Sequence, residues 1–425
     1  MSVYPRNMSA FLNRLSGYNK NNVKMNVLGS SSASAGDIIQ VDLPTNSIVD
    51  LSSLAWSFRN TFSVGADLTD GKKAAAPQNA EAIIERLAIE VNGQTLVNLT
   101  NYNMLFHALL YMTATDDYVR SRRVAQTNNS THTDSGISKE ITGAGGLGGS
   151  EVRFHVIDSW LGFLGSAKPN FIDTSLLGNV RITITLAPAT IIQNVDEDAA
   201  ALTSRAYTVD QQYFSIDVVS ISDGIYDAMV DQMLASGAPI EVPFKNYFAF
   251  TGAAQPGQLA FNVASQSIDR LWGVMRHNTD FARATHAALP AVATSDKDIP
   301  VTTDRAFTYA TANATDFQFQ VNNTLYPQWS SSRRVDWYQH TKLAVGDQGN
   351  MLAGSYVTNP ESYIQNYFVY ACQLEHRTDG DERFVTGIDT RGAAAQCYWN
   401  WKSGSADLAQ PDTTLFFTSP ATPEG

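Results

Sequence analysis

The chain has 425 residues, of which 44% are hydrophobic and only 16% charged, and its formal net charge is −12. Globular chains usually carry about 25% charged residues, so this one is poor in charge. Its acidic balance excludes a broad face for phosphate backbones, which needs clustered Lys and Arg. The length predicts two or three domains with enough core to need no covalent staple. Cys372 and Cys397 both lie in apolar, strand-like text and read as buried free thiols rather than a disulfide. There is no apolar run of membrane-spanning length and no signal-peptide core. The protein is therefore expected to be made and assembled in a cytoplasm.

The first 36 residues read as a leader without Asp or Glu. Met8, Phe11, Leu12 and Leu15 share one face of a short helix, and Arg6 and Arg14 flank it. A polar stretch with Lys20 and Lys24 follows. Two readings stand. The leader docks on its own domain, or these eight residues form an anchor that grips a neighbouring subunit or a membrane surface.

Short strands come next. Ile39, Val41 and Leu43 alternate, as do Leu54, Trp56 and Phe58. Leu87, Ile89 and Val91 alternate into Asn92-Gly93, a tight-hairpin signal. Residues 102–112 are apolar at helical spacing, with Thr100 as the candidate cap. Val152, Phe154 and Val156 mark a further strand. Val180, Ile182, Ile184 and Leu186 alternate with Arg181, Thr183 and Thr185, the clearest strand pattern in the chain. Phe214, Ile216 and Val218 complete the first half. Residues 223–238 read as a connector helix, with Ile225, Met229 and Met233 on one face and Gly237 as its stop. Strands in the second half centre on Phe248 and Phe250, on Phe317 and Phe319, on Tyr370 and Cys372, on Trp399 and Trp401, and on Leu415 to Phe417. Long polar loops at 128–150 and 284–304 suit an outer surface. No helix follows each strand, which excludes a parallel α/β sheet and favours two sandwiches or jelly rolls.

Motifs for chemistry fail on context. Gly143, Gly145 and Gly148 form a literal G-x-G-x-x-G, but a strand follows where a helix is needed. The region from Gly65 to Lys73 lacks phosphate-loop spacing. No two histidines stand at metal-ligand spacing. The acidic clusters at 196–198 and 379–382 read as solvated loops rather than calcium sites. Trp329, Trp337, Trp399 and Trp401 would suit a sugar-stacking platform, although the alternation of Trp399 and Trp401 fits a core or subunit contact better. No catalytic, cofactor or metal residue is nominated.

Two echoes link the halves. Ile84-Glu85-Arg86-Leu87 returns as Ile268-Asp269-Arg270-Leu271, and Ile172-Asp173-Thr174 returns as Ile388-Asp389-Thr390. They suggest two tandem units. The layout resembles the double jelly-roll major capsid proteins, the lineage of adenovirus hexon and of the coats of membrane-containing bacteriophages. Three stretches carry the resemblance: Gly36 to Phe62, with Ile38 to Pro44 and Ile48-Val49-Asp50-Leu51 as opening strands, then residues 179–250, then residues 387–401. The resemblance implies an all-β chain of two tandem eight-stranded jelly rolls joined by a short helix, with a few helical inserts. It divides the chain into an arm (1–36), a first roll (37–222), a connector (223–238), a second roll (239–418) and a tail (419–425).

It also implies a structural protein of the virion, without enzymatic activity or cofactor. Such proteins form homotrimers of pseudo-hexagonal outline that tile an icosahedral shell with neighbouring capsomers and a vertex protein. The arm would reach a neighbouring capsomer or an internal membrane, and contact with nucleic acid would be slight. On this reading, removing residues 1–24 spares the trimer and damages the shell. Two other readings stay open: a carbohydrate-binding or carbohydrate-cleaving double β-sandwich, and a minor vertex or spike protein of a capsid.

Overall fold

A computed structural model describes residues 18–64, 73–127, 140–142, 149–194, 205–221, 224–235, 242–253, 257–276, 307, 309–311, 314–345, 356–357, 360–374, 387–391, 397–403 and 412–421. Sixteen strands make two rolls. The first roll holds β1 (Tyr18–Asn26), β2 (Ile38–Asp42), β3 (Ile48–Val64), β4 (Ile84–Val91), β5 (Gln94–Thr100), β6 (Phe171–Asp173), β7 (Val180–Leu186) and β8 (Arg205–Ile221). The second holds β9 (Phe244–Ala253), β10 (Gln258–Phe261), β11 (Arg270–Arg276), β12 (Ala314–Val321), β13 (Thr324–Ser331), β14 (Tyr370–Gln373), β15 (Cys397–Ser403) and β16 (Asp412–Ala421).

The first roll has sheets ordered β1-β8-β3-β6 and β2-β7-β4-β5, all antiparallel. The second has β9-β16-β11-β14 and β10-β15-β12-β13, again antiparallel. Adding eight to each strand of the first roll gives the second. This is the jelly-roll connectivity, used twice.

Local chemistry explains the strands. In β7 the inward Val180, Ile182, Ile184 and Leu186 are all buried, each contributing about 1.5–3 kcal/mol. Its outward Arg181 holds Asp42 of β2 through Nε–Oδ1 at 2.7 Å. The turn after β4 uses Asn92 (φ 50°) and Gly93 (φ 81°), the left-handed pair of a tight hairpin. In β8 the bulge at Gln211 (φ 48°) keeps Val209, Gln212 and Phe214 all facing inward. Two accessory strands widen the first roll: Ala33–Ser34 on β8 and Gly149–Ile157 on β3.

The six helices named here are α1 (Tyr102–Thr113), α2 (Asp116–Arg122), α3 (Phe163–Ser166), α4 (Ile225–Ala235), α5 (Arg334–Val345) and α6 (Pro360–Gln365). α1 lies where the spacing predicts it, but Thr100 does not cap it. Thr100 ends β5, and Asn101 occupies the cap in a left-handed conformation without a side-chain cap bond. α4 is the connector, shorter at both ends than 223–238. α5 and α6 stand where the sequence gives no helical signal.

Two boundaries are corrected. Tyr18–Asn26 is not arm. It is the edge strand β1, registered from Tyr18 opposite Ile221 to Asn26 opposite Tyr213. Residues 1–24 therefore include most of a strand of the first roll. At the other end β16 runs to Ala421, three residues into the expected tail.

The echoes also separate. Ile84–Leu87 opens β4, whereas Ile268–Leu271 leads into β11, the counterpart of β3. That match joins inequivalent strands. The other echo is a repeated device. Thr174 N–H donates to Ser47 O at 2.9 Å, and Ser47 N–H donates to Thr174 Oγ1 at 3.0 Å. Thr390 N–H donates to Ser265 O at 2.8 Å, and Ser265 N–H donates to Thr390 Oγ1 at 3.2 Å. In each copy the Asp caps the backbone N–H two residues on.

Candidate functional site

A constellation of polar and aromatic side chains fills the seam between the rolls, built around α1. Nearly every residue of α1 is buried, so its apolar surface is not a stripe but a full circumference. First-roll strands cover one side and second-roll residues the other. His107 Nδ1 lies 2.6 Å from Asn103 O, and its ring stacks on Phe307 at 4.1 Å, nearly parallel. Tyr111 meets Tyr309, Tyr356 and Tyr367 edge-on at 6.1, 5.0 and 4.8 Å. Tyr309 Oη donates to Met104 O at 2.8 Å. Elsewhere along the seam, β5 lies against β9 and α1 touches α5. Asn101 Nδ2 donates to Thr251 Oγ1, Lys245 N–H donates to Ser166 Oγ, and Phe163 meets Phe244 edge-on.

A buried ion pair braces α1 from behind. Arg122 Nη2 donates to Glu81 Oε2 at 2.5 Å, with both side chains almost fully buried. The guanidinium also sits over the rings of Phe106 and Tyr118 at 5.1 and 5.5 Å. Burial pushes the Glu81 carboxyl up, against the pull of Arg122. Burial holds His107 near 3, with Arg122 acting in the same direction, and holds His155 near 4. Both imidazoles are thus neutral under ordinary conditions. A pair so buried adds little net stability but strongly penalises loss of either member. The arrangement fixes one roll against the other and offers no nucleophile beside a base. Beside it, a cleft of about 440 Å³ is lined by Phe106, Leu110, Tyr118 and Trp160 among others.

No family model matches the chain, and no curated protein matches it. Solved structures do. The Faustovirus major capsid protein covers 99% of this chain and 92% of its own, with a TM-score of 0.58 at 10% identity. The PBCV-1 virus capsid model covers 99% and 95%, with a TM-score of 0.56 at 12% identity. The Sputnik virophage structure covers 96% and 87%, with a TM-score of 0.53 at 12% identity.

The fold is the double jelly roll.

The double jelly roll places the nominated residues as follows. Lys20 and Lys24 lie on β1, within the first roll rather than on a separate arm. Lys20 Nζ pairs with Asp50 at 3.1 Å and Asp217 at 2.8 Å, and Lys24 Nζ sits 4.3 Å over the Tyr213 ring. Arg6, Met8, Phe11, Leu12, Arg14 and Leu15 lie outside the described residues, as do Gly143, Gly145, Gly148 and both acidic clusters. The four tryptophans form no platform. Trp399 and Trp337 are core residues packed on Phe317, Trp401 is buried, and Trp329 alone of the four is exposed. Cys372 and Cys397 are free and buried in the second roll. Among the described residues no group of three or more His, Cys, Asp or Glu stands together as a metal site, and no helix is long and apolar enough to cross a membrane. Glu81 and Arg122 escaped sequence reasoning. Their one signal is a lone acid inside the apolar run from Ala80 to Ile84.

Proposed function

We propose that this chain is the structural major capsid protein of a virus. One observation carries the reading: two rolls of identical strand order, within a fold that matches capsid proteins over nearly the whole chain. Two rolls per subunit suit a trimer of pseudo-hexagonal outline, and such trimers tile an icosahedral shell. The arm toward a neighbouring capsomer or an internal membrane would be residues 1–17, which precede β1. The acidic body suits a shell that makes little contact with the genome. Its proposed role is structural. The sugar-binding alternative loses most of its aromatic surface, because Trp337, Trp399 and Trp401 are buried and Trp329 alone of the four is exposed. A minor vertex role is separated by stoichiometry. In purified particles, mass spectrometry should find this chain as the most abundant shell protein. A copy number confined to the vertices would overturn the major-coat reading.

A further inference from the structure

We infer that Pro327–Ser330 of β13, with the adjoining face of α5, is the surface that meets β1 of a second copy of this chain. The inference rests on the trimer reading above. It starts from the seam within one chain, where β5 lies against β9. Both are edge strands, each at the end of its sheet order. Their counterparts under the roll-to-roll correspondence are β13 and β1. These are also sheet ends, and no described strand pairs with their outer edges. The internal seam thus uses one copy of each mating edge and leaves one of each over. A contact of that kind joins unlike surfaces, so its repetition closes into a ring when the rotation allows.

The chemistry repeats as well. β5 (Gln94–Thr100) has no charged residue, and β9 carries Lys245 and no acid. β13 (Thr324–Ser331) has no charged residue, and β1 carries Lys20 and Lys24 and no acid. The helix after β5 faces the other roll, and α5 follows β13 in the same way.

The leftover edge is shaped for contact. β13 follows β12 in register from Thr324 to Tyr326, then bows out through Pro327 to Ser330 before rejoining at Ser331. Trp329 sits on the bow with 52% of its surface exposed, its ring 5.5 Å from that of His340 on α5. Leu343, one turn along α5 from His340, is exposed at 38%. An exposed indole on an uncharged edge is the kind of aromatic anchor that subunit contacts bury.

The test places a photo-crosslinking phenylalanine at position 329 of the full chain and mixes isotopically light and heavy protein. Crosslinks should join position 329 of one chain to a peptide containing residues 18–26 of another. Trp329→Asp with Leu343→Asp should lower the native mass to a single 46.3 kDa chain with unchanged circular dichroism. As a control, Phe154→Asp on the accessory strand should leave the trimer whole. A wild-type trimer whose crosslinks map elsewhere, or whose mass survives the double substitution, overturns this assignment and spares the capsid reading. A monomeric wild type overturns the trimer reading beneath it.

Discussion

His107 should make the seam acid-labile by a calculable amount. An unfolded histidine titrates near 6.5, whereas the folded His107 takes a proton only near 3, chiefly because it is buried. Between those values only the unfolded chain binds the proton, so stability is full above pH 6.5 and falls as pH falls. The slope approaches about 1.4 kcal/mol per pH unit, so roughly 2–3 kcal/mol is lost between pH 7.5 and pH 4.5. The charged groups around the ring sharpen the effect. Arg122 on α2 repels the imidazolium, and its partner Glu81 is already committed to it. Tyr111 and Phe307 present rings, not carboxylates. His107→Phe keeps the stack on Phe307 and removes the titration. It also removes the bond to Asn103 O, a pH-independent loss of about 1 kcal/mol. Urea unfolding followed by tryptophan fluorescence should show the wild type about 1 kcal/mol more stable than the variant at pH 7.5. At pH 4.5 it should be about 2 kcal/mol less stable. Glu81 and His155 titrate in both proteins and cancel in the difference. A gap that stays constant from pH 7.5 to 4.5 would refute the reasoning.

Glu81→Gln strands a buried guanidinium and should lower stability by about 3–5 kcal/mol, whereas Glu81→Leu with Arg122→Leu should recover most of it in the same unfolding assay. Deleting residues 1–17 should leave the melting temperature unchanged. Deleting residues 1–24 removes most of β1 with both Lys20 ion pairs, bares the edge of β8, and should give a lower melting temperature and aggregation on a sizing column. Cys372, whose thiol burial pushes up to about 12, and the buried Cys397 should resist a thiol reagent in the folded protein and react on unfolding.

What the sequence made legible follows its periodicity. β7 alternates without a fault because one face is core and the other solvent, and the Asn92-Gly93 turn declares its hairpin. The Ile-Asp-Thr echo marked a real repeated clasp, because a threonine hydroxyl and an aspartate cap do the same work in both rolls. β1 stayed hidden because an edge strand buries little. Among its described side chains only Met25 is buried, so its text reads as a polar linker. α5 was missed because only Trp337, Thr341 and Ala344 are fully buried, too few for an apolar stripe. The match between Ile84–Leu87 and Ile268–Leu271 misled, since four residues fit either of two inequivalent strands. The seam was out of reach altogether. It joins residues as distant as Met104 and Tyr309, and no local pattern encodes that pairing.

Native mass tests the proposed capsid subunit of two rolls most directly. Light scattering on a sizing column should give three times the 46.3 kDa of one chain, with hexagonal outlines when the same fraction is imaged. A single-chain mass at every concentration would contradict it.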